Sequence, residues 1–184
     1  MKTIKKLGLV LSVALAIVLY SCSKDDNGGS SIAAPATGTY INAKINGANF
    51  TTVIAGTSSA NASIVGTGAD SIITVFGTNV GQITGNTFSS STISILLEGV
   101  TGPGTYVVGG DSRNDLLYLT TPNSATAVTQ SYQAGDCSGT TGTVTITSLS
   151  ATQVEGTFSF TAKKAESCDE LKTITSGSFR GVFM

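Results

Sequence analysis

Thr143-Val144-Thr145-Ile146-Thr147, followed by Thr157-Phe158-Ser159-Phe160-Thr161, decides the fold. In both stretches a large apolar side chain alternates with a hydroxyl residue. Successive side chains of a strand point to opposite faces, so this period of two sets Val144, Ile146, Phe158 and Phe160 on one side and the hydroxyls on the other. An antiparallel pair follows, with Val144 expected opposite Phe160 and Ile146 opposite Phe158, because that register joins the two apolar sets on one face.

The same pattern recurs outward from this pair. Thr173-Ile174-Thr175 leads into Gly177-Ser178-Phe179, where Ile174 and Phe179 differ in parity. A bulge at Gly177 would return both to the core side. Upstream, Ile41, Ala43 and Ile45 alternate with polar residues and run into Asn46-Gly47, a dipeptide that tolerates positive φ at both turn positions. Ala48-Asn49-Phe50 then closes a hairpin. Further strands are read over 62–66, 72–76, 92–98, 105–108, 116–119 and 127–132, with Gly102-Pro103-Gly104 as a break. About nine to ten short strands with no helical stripe predict one all-β domain over residues 39–184, an antiparallel β-sandwich or β-barrel.

Composition agrees. Charged residues make up 11% of the 184-residue chain and hydrophobic ones 40%. Helical surfaces need Glu, Lys and Arg, whereas Thr suits strands and Gly suits turns. Net charge is −1; without residues 1–21, which hold Lys2, Lys5 and Lys6, it falls by three to −4. A mildly acidic chain lacks the basic footprint of a nucleic-acid binder.

Lys2, Lys5 and Lys6 precede an apolar run over 7–19, the charge order of a secretory signal. The run falls short of the ~20 apolar residues that span a bilayer. It ends in Leu19-Tyr20-Ser21-Cys22, which resembles a lipobox, with Tyr20 bulkier than the usual occupant. That resemblance implies cleavage after residue 21 and lipid on Cys22. Residues 1–21 are thus expected to be a lipoprotein signal peptide, and 22–38, rich in Gly and Ser, a lipidated flexible tether. An uncleaved anchor helix is the competing reading, disfavoured because no positive cluster follows the run. Ser23-Lys24-Asp25-Asp26 resembles the surface-export signal of Bacteroidota lipoproteins. It implies an outer-membrane lipoprotein facing the cell exterior; a solvated linker is the plain alternative.

Gly142–Thr147, Val154–Ala162 and Ile174–Phe179, with the N-terminal stretch Ala43–Phe50, resemble a family of Bacteroidota lipoprotein domains of unknown function. The likeness runs over residues 40–184. It implies an all-β extracytoplasmic domain and carries no catalytic or binding residues.

With Cys22 assigned to lipid, Cys137 and Cys168 remain. Export places them in an oxidising compartment. The expected register sets Cys137 opposite Ser167, one position from Cys168, within reach of a disulfide. A metal pair or a catalytic thiol is the alternative, and no histidine exists to partner either.

The absence of histidine excludes Ser-His-Asp and Cys-His triads and His-ligated metals. Paired carboxylates would suffice for glycosidase chemistry. Glu98 is the acid closest to an apolar strand, and a charge leaving a sheet edge explains it better. Asp111, Asn114 and Asp115 carry oxygens suited to Ca²⁺, but their spacing is not that of an EF-hand loop, and a polar hairpin turn accounts for them. Tyr106, Tyr118 and Tyr132 are candidate ligand-binding residues, a platform on which sugar rings would stack. The reading is therefore a non-enzymatic cell-surface lipoprotein without cofactor or metal. It would be a binding or structural accessory held to the membrane by its lipid. The alternative is a glycan-binding component of an outer-membrane uptake system. A glycan or another envelope protein is the expected partner.

Overall fold

The computed structural model describes residues 34–84, 87–110, 112–124 and 126–184. The expected signal peptide, Cys22, the Ser-Lys-Asp-Asp stretch, most of the expected tether and Asp111 lie outside the described residues.

The strands are β1 (Tyr40–Ile45), β2 (Ala48–Thr51), β3 (Val53–Ile54), β4 (Thr57–Ser58), β5 (Ala60–Val65), β6 (Ile72–Thr84), β7 (Thr87–Glu98), β8 (Gly104–Val108), β9 (Asp115–Thr121), β10 (Gln130–Gln133), β11 (Gly142–Leu149), β12 (Gln153–Lys164) and β13 (Leu171–Val182). Eleven belong to one antiparallel sheet ordered β2-β1-β13-β12-β10-β9-β7-β6-β5. Strand β12 has two partners on its remaining edge. Its first part pairs with β11, which in turn pairs with β8, while its end pairs with β10. The sheet curls until Ala62 of β5 forms a parallel bridge with Phe183, just past β13. Gly181 permits this approach: a Cβ there would sit 2.6 Å from Ala62 Cβ and 3.0 Å from both Val75 Cγ2 and Val154 Cγ1.

The all-β expectation holds, and the alternation is the reason. Val144, Ile146, Phe158 and Phe160 are all buried, as are Ile41, Ile95, Leu116, Ile174 and Phe179, and together they form one core. The bulge in β13 is also present. Phe160 lies opposite Ile174 and Phe158 opposite Gly177, so β13 holds one extra residue there. Ser176 takes up the kink at φ 52°.

Three details differ from expectation. Val144 pairs with Phe158 and Gly142 with Phe160, a shift of two residues that keeps every side chain on its expected face. The connecting turn accounts for one residue, since Leu149 already pairs with Val154. A bulge between Ile146 and Ser148 accounts for the other. In addition, β6 and β7 run to 13 and 12 residues, well past the stretches where apolar alternation marks them. Their pairing continues on backbone hydrogen bonds, which need no apolar side chains. Finally, β3 and β4 hold two residues each around Ala55-Gly56, both at positive φ, a hairpin too short to show a period.

Candidate functional site

Inward-pointing positions claim the three candidate tyrosines. Tyr118 follows Leu116 at the same parity in β9, and Tyr132 of β10 pairs directly opposite it. Both are buried, with ring centroids 5.7 Å apart. The Tyr132 hydroxyl donates to Glu170 Oε2 at 2.7 Å and lies 2.8 Å from Gln130 Oε1. Lys172 Nζ sits 5.0 Å from the Tyr132 ring centroid and 2.6 Å from Glu170 Oε1. Burial first, then the hydrogen bond to Glu170 and its charge, hold the Tyr132 phenol well above its ordinary pKa. Tyr106 is half-buried and donates to the Gly102 carbonyl at 2.7 Å. Tyr106, Tyr118 and Tyr132 therefore form no exposed stacking platform. Leu116-Leu117-Tyr118-Leu119 is apolar at every position, so its sequence does not reveal which face is the core.

Cys137 and Cys168 form a disulfide with Cα atoms 5.8 Å apart. Straight extension of the observed register would place Cys137 opposite Ala165. The chain instead turns back, with the Cys168 N–H donating to the Lys164 carbonyl at 2.8 Å and Cys168 itself at φ 57°. The bond ties the middle of the β10–β11 connection to the β12–β13 turn.

The polar loop after β8 is occupied with structure. The Asn114 Oδ1 accepts from the Glu98 N–H at 3.0 Å, and its Nδ2 donates to the Val107 carbonyl at 2.9 Å. Asp115 is half-buried, and its Oδ1 is enclosed without a hydrogen bond. Desolvation, then the charge of Asp136, raise its pKa against the lowering effect of hydrogen bonds to Gln133 and the Leu116 backbone. Among the described residues no group of three or more Cys, Asp and Glu gathers in metal-binding geometry.

The outer surface of β8, β11, β12 and β13 is where exposed chemistry collects. The register lines Thr105, Thr145, Thr157 and Ser178 in one row across the four strands. Val107, Thr143 and Ser159 form the next row. Two adjoining depressions of about 480 and 360 Å³ lie over these rows and share Thr143 and Ser159. One margin is closed by Glu155 and Arg180, paired at 2.7 Å, and the other carries Lys44 and Lys163. Among the described residues no charged side chain lies between the margins. In the sequence these hydroxyls show only as the outward half of each alternation. Pairing across four strands is what gathers them.

The opposite flank differs. Outward positions of β6 are Ile72, Thr74, Phe76, Thr78 and Val80, and Phe76 is 43% exposed. Leu96 of β7 and Leu117 and Leu119 of β9 continue this apolar streak. Thr78 pairs with Thr92 and Thr121 with Thr129, each at 2.8 Å.

A family model described as Domain of unknown function (DUF6252) matches residues 69–183, which hold both surfaces. Neither a curated protein nor a solved structure matches the chain.

Proposed function

This chain belongs to the DUF6252 family, and from that premise we propose that it is a non-enzymatic lipoprotein of the Bacteroidota cell surface, a binding or structural accessory anchored to the outer membrane through Cys22. The observation that carries the reading is the Cys137–Cys168 disulfide in a chain whose leader ends in Leu-Tyr-Ser-Cys. Structural disulfides persist in oxidising compartments outside the cytosol, so the bond supports export independently of the leader. The fold also suits a tethered module. Arg180 Nη1 donates to the Pro35 carbonyl at 3.1 Å, and Thr39 Oγ1 accepts from the Val182 N–H at 3.0 Å. The sheet thus holds the chain at Pro35 and Thr39, within the C-terminal part of the expected tether and the start of the domain.

The non-enzymatic half of the reading rests on donor chemistry. The chain has no histidine, and its unpaired cysteine count falls to Cys22 once the disulfide forms. Asp115 and Asp136 repel each other in a small polar hollow that Arg113 and Gln133 also line. Side chains devoted to loop geometry occupy that hollow, as Asn114 illustrates.

Labelling cells with an alkyne-tagged fatty acid and shaving intact cells with protease tests this reading. Label on the wild-type chain, its loss in Cys22→Ser, and digestion of the domain on intact cells are the expected results. An unlabelled chain, or one fully protected until the outer membrane is broken, contradicts it.

A further inference from the structure

We propose that the outer surface of β8, β11, β12 and β13 is a binding site for a neutral polysaccharide chain. The inference deepens the surface-lipoprotein reading and depends on it only for access to an external ligand.

Three independent features point to this ligand chemistry. The first is free hydrogen-bonding capacity. The hydroxyls of Thr143, Thr157, Ser159, Thr175, Ser176 and Ser178 make no hydrogen bond within the described residues, while Thr105 and Thr145 in the same rows pair at 3.2 Å. Each hydroxyl is both donor and acceptor, so the array matches a ligand whose groups are also both. Sugar hydroxyls have that property; phosphates and carboxylates only accept.

The second is charge. Surfaces and sheet edges ordinarily carry lysine or glutamate, which keep the protein soluble and prevent edge-to-edge pairing. This surface keeps its charges at the margins, where Glu155 and Arg180 neutralise each other on one side and Lys44 and Lys163 stand on the other. An anionic polymer would find no cation inside the rows, and a basic one no anion. Along the rows themselves the complementary partner is uncharged, and the lysine margin makes an anionic chain the comparison that tests this.

The third is shape. The depressions over Thr143 and Ser159 adjoin, so they make one shallow, open trough extending from the Thr145–Ser178 region to Thr161 and Thr173. Neighbouring strands stand about 4.8 Å apart, and like-facing residues about 7 Å apart along a strand. The rows therefore repeat their hydroxyls across the trough, as an extended polymer repeats its own. With no aromatic ring exposed there, no single sugar gains a stacking contact, and affinity must accumulate along the chain. Length dependence is the expected signature.

Full-length protein purified in detergent is titrated calorimetrically with the disaccharides and hexasaccharides of β-1,4-glucan, β-1,4-xylan, β-1,4-mannan, β-1,3-glucan and α-1,4-glucan. Polygalacturonate is the anionic comparison, and sedimentation with insoluble cellulose and mannan separates a packed surface from a soluble chain as the source. At least one neutral glycan is expected to bind, its hexasaccharide at least about tenfold tighter than its disaccharide. The double variant Thr143→Val/Thr157→Val removes two hydroxyls while keeping β-branched shape, and should weaken binding at least about tenfold with the melting temperature retained. Ser159→Lys should do the same by placing a charge in the trough. Phe76→Ser, on the opposite flank, should bind as wild type. The proposal is overturned if no neutral glycan binds in either form at about 5 mM, if binding survives both trough variants, or if polygalacturonate binds as well as the best neutral chain. Fatty-acid labelling and protease exposure are read separately, so a labelled, exposed protein with flat calorimetry refutes this site alone.

Discussion

The two flanks of the curled sheet share one core and present different surfaces. Under both, Ile, Val, Leu and Phe point inward and are nearly fully buried. Outward, β8, β11, β12 and β13 show Thr and Ser between charged margins, most of them unpaired apart from Thr105 with Thr145. Strands β6, β7 and β9 instead show Ile72, Phe76, Val80 and Leu96 interleaved with hydroxyls, of which Thr78 and Thr92 pair. Burial of the inward residues stabilises both flanks alike, at about 25 cal/mol per Å² of apolar surface removed from water. The outward positions contribute little to stability, and so are free to specialise. The fold thus sets the inward half of each strand, and function is to be sought in the outward half.

The disulfide belongs to the hydroxyl flank, and its removal should separate the two flanks most. Cys137→Ser/Cys168→Ser opens a closure between residues 31 apart in sequence and should cost about 3–4 kcal/mol on the loop-entropy model. Chemical denaturation gives the total. Amide exchange should show β11 and β12 losing protection before β6 and β7; uniform loss across both would break the distinction.

The seam between the flanks comes next. Gly181→Val would push a side chain into Ala62, Val75 and Val154, where β5 approaches the end of β13. Overpacking of this kind should cost about 2–3 kcal/mol, seen as a lowered denaturation midpoint. An unchanged midpoint would mean that the Ala62–Phe183 bridge does not hold the sheet closed.

Strand β10 joins the flanks at the other side, pairing with β9 and β12, and its titrating groups act there. The Tyr132 phenol has its pKa raised by burial and by Glu170, so its proton stabilises the fold below pH 10. That contribution is lost as pH rises through the folded value. Tyr132→Phe should cost about 1 kcal/mol at pH 7, because half-exposed Glu170 keeps Lys172 and water as partners. It should also reduce the decline in stability that wild type shows above pH 10. The carboxyl of Asp115 behaves with opposite consequence. Its pKa is raised by desolvation and by Asp136, so its charge destabilises the fold at neutral pH, and the penalty is relieved as pH falls through the folded value. Asp115→Asn should therefore be more stable than wild type at pH 7, with the gain vanishing as pH falls to about 3, below the unfolded pKa. Thermal melts across pH test both residues.

The smallest effect on stability is expected where binding changes most. Thr143→Val/Thr157→Val alters exposed strand positions without stranding a hydrogen-bond partner, so stability should stay within about 0.5 kcal/mol of wild type. A larger loss would mean that the hydroxyls serve the sheet itself.

Much of the inward architecture is legible in the order of residues alone. Val144, Ile146, Phe158 and Phe160 announce their face, and the clash of parity between Ile174 and Phe179 locates the bulge beside Gly177. The register of that hairpin is not legible, because the bulge near Ser148 is a backbone event with no mark in composition. An outward placement of Tyr118 is an easy misreading, because its uninterrupted apolar stretch carries no parity; Tyr132 sits among polar residues, and its pairing opposite Tyr118 is what turns it inward. The hydroxyl surface escapes for another reason. Thr105, Thr145, Thr157 and Ser178 lie far apart in sequence, and only the pairing order β8-β11-β12-β13 sets them side by side.

Threonine γ-methyl NMR of the full chain, recorded during titration with the tightest neutral hexasaccharide, tests the central claim most directly, since both flanks carry threonine reporters. Shifts confined to Thr105, Thr143, Thr145, Thr157 and Thr175, with Thr74, Thr78 and Thr92 unmoved, are predicted. Shifts concentrated on the β6–β7 threonines, or none at saturating ligand, would contradict the assignment of binding to the hydroxyl flank.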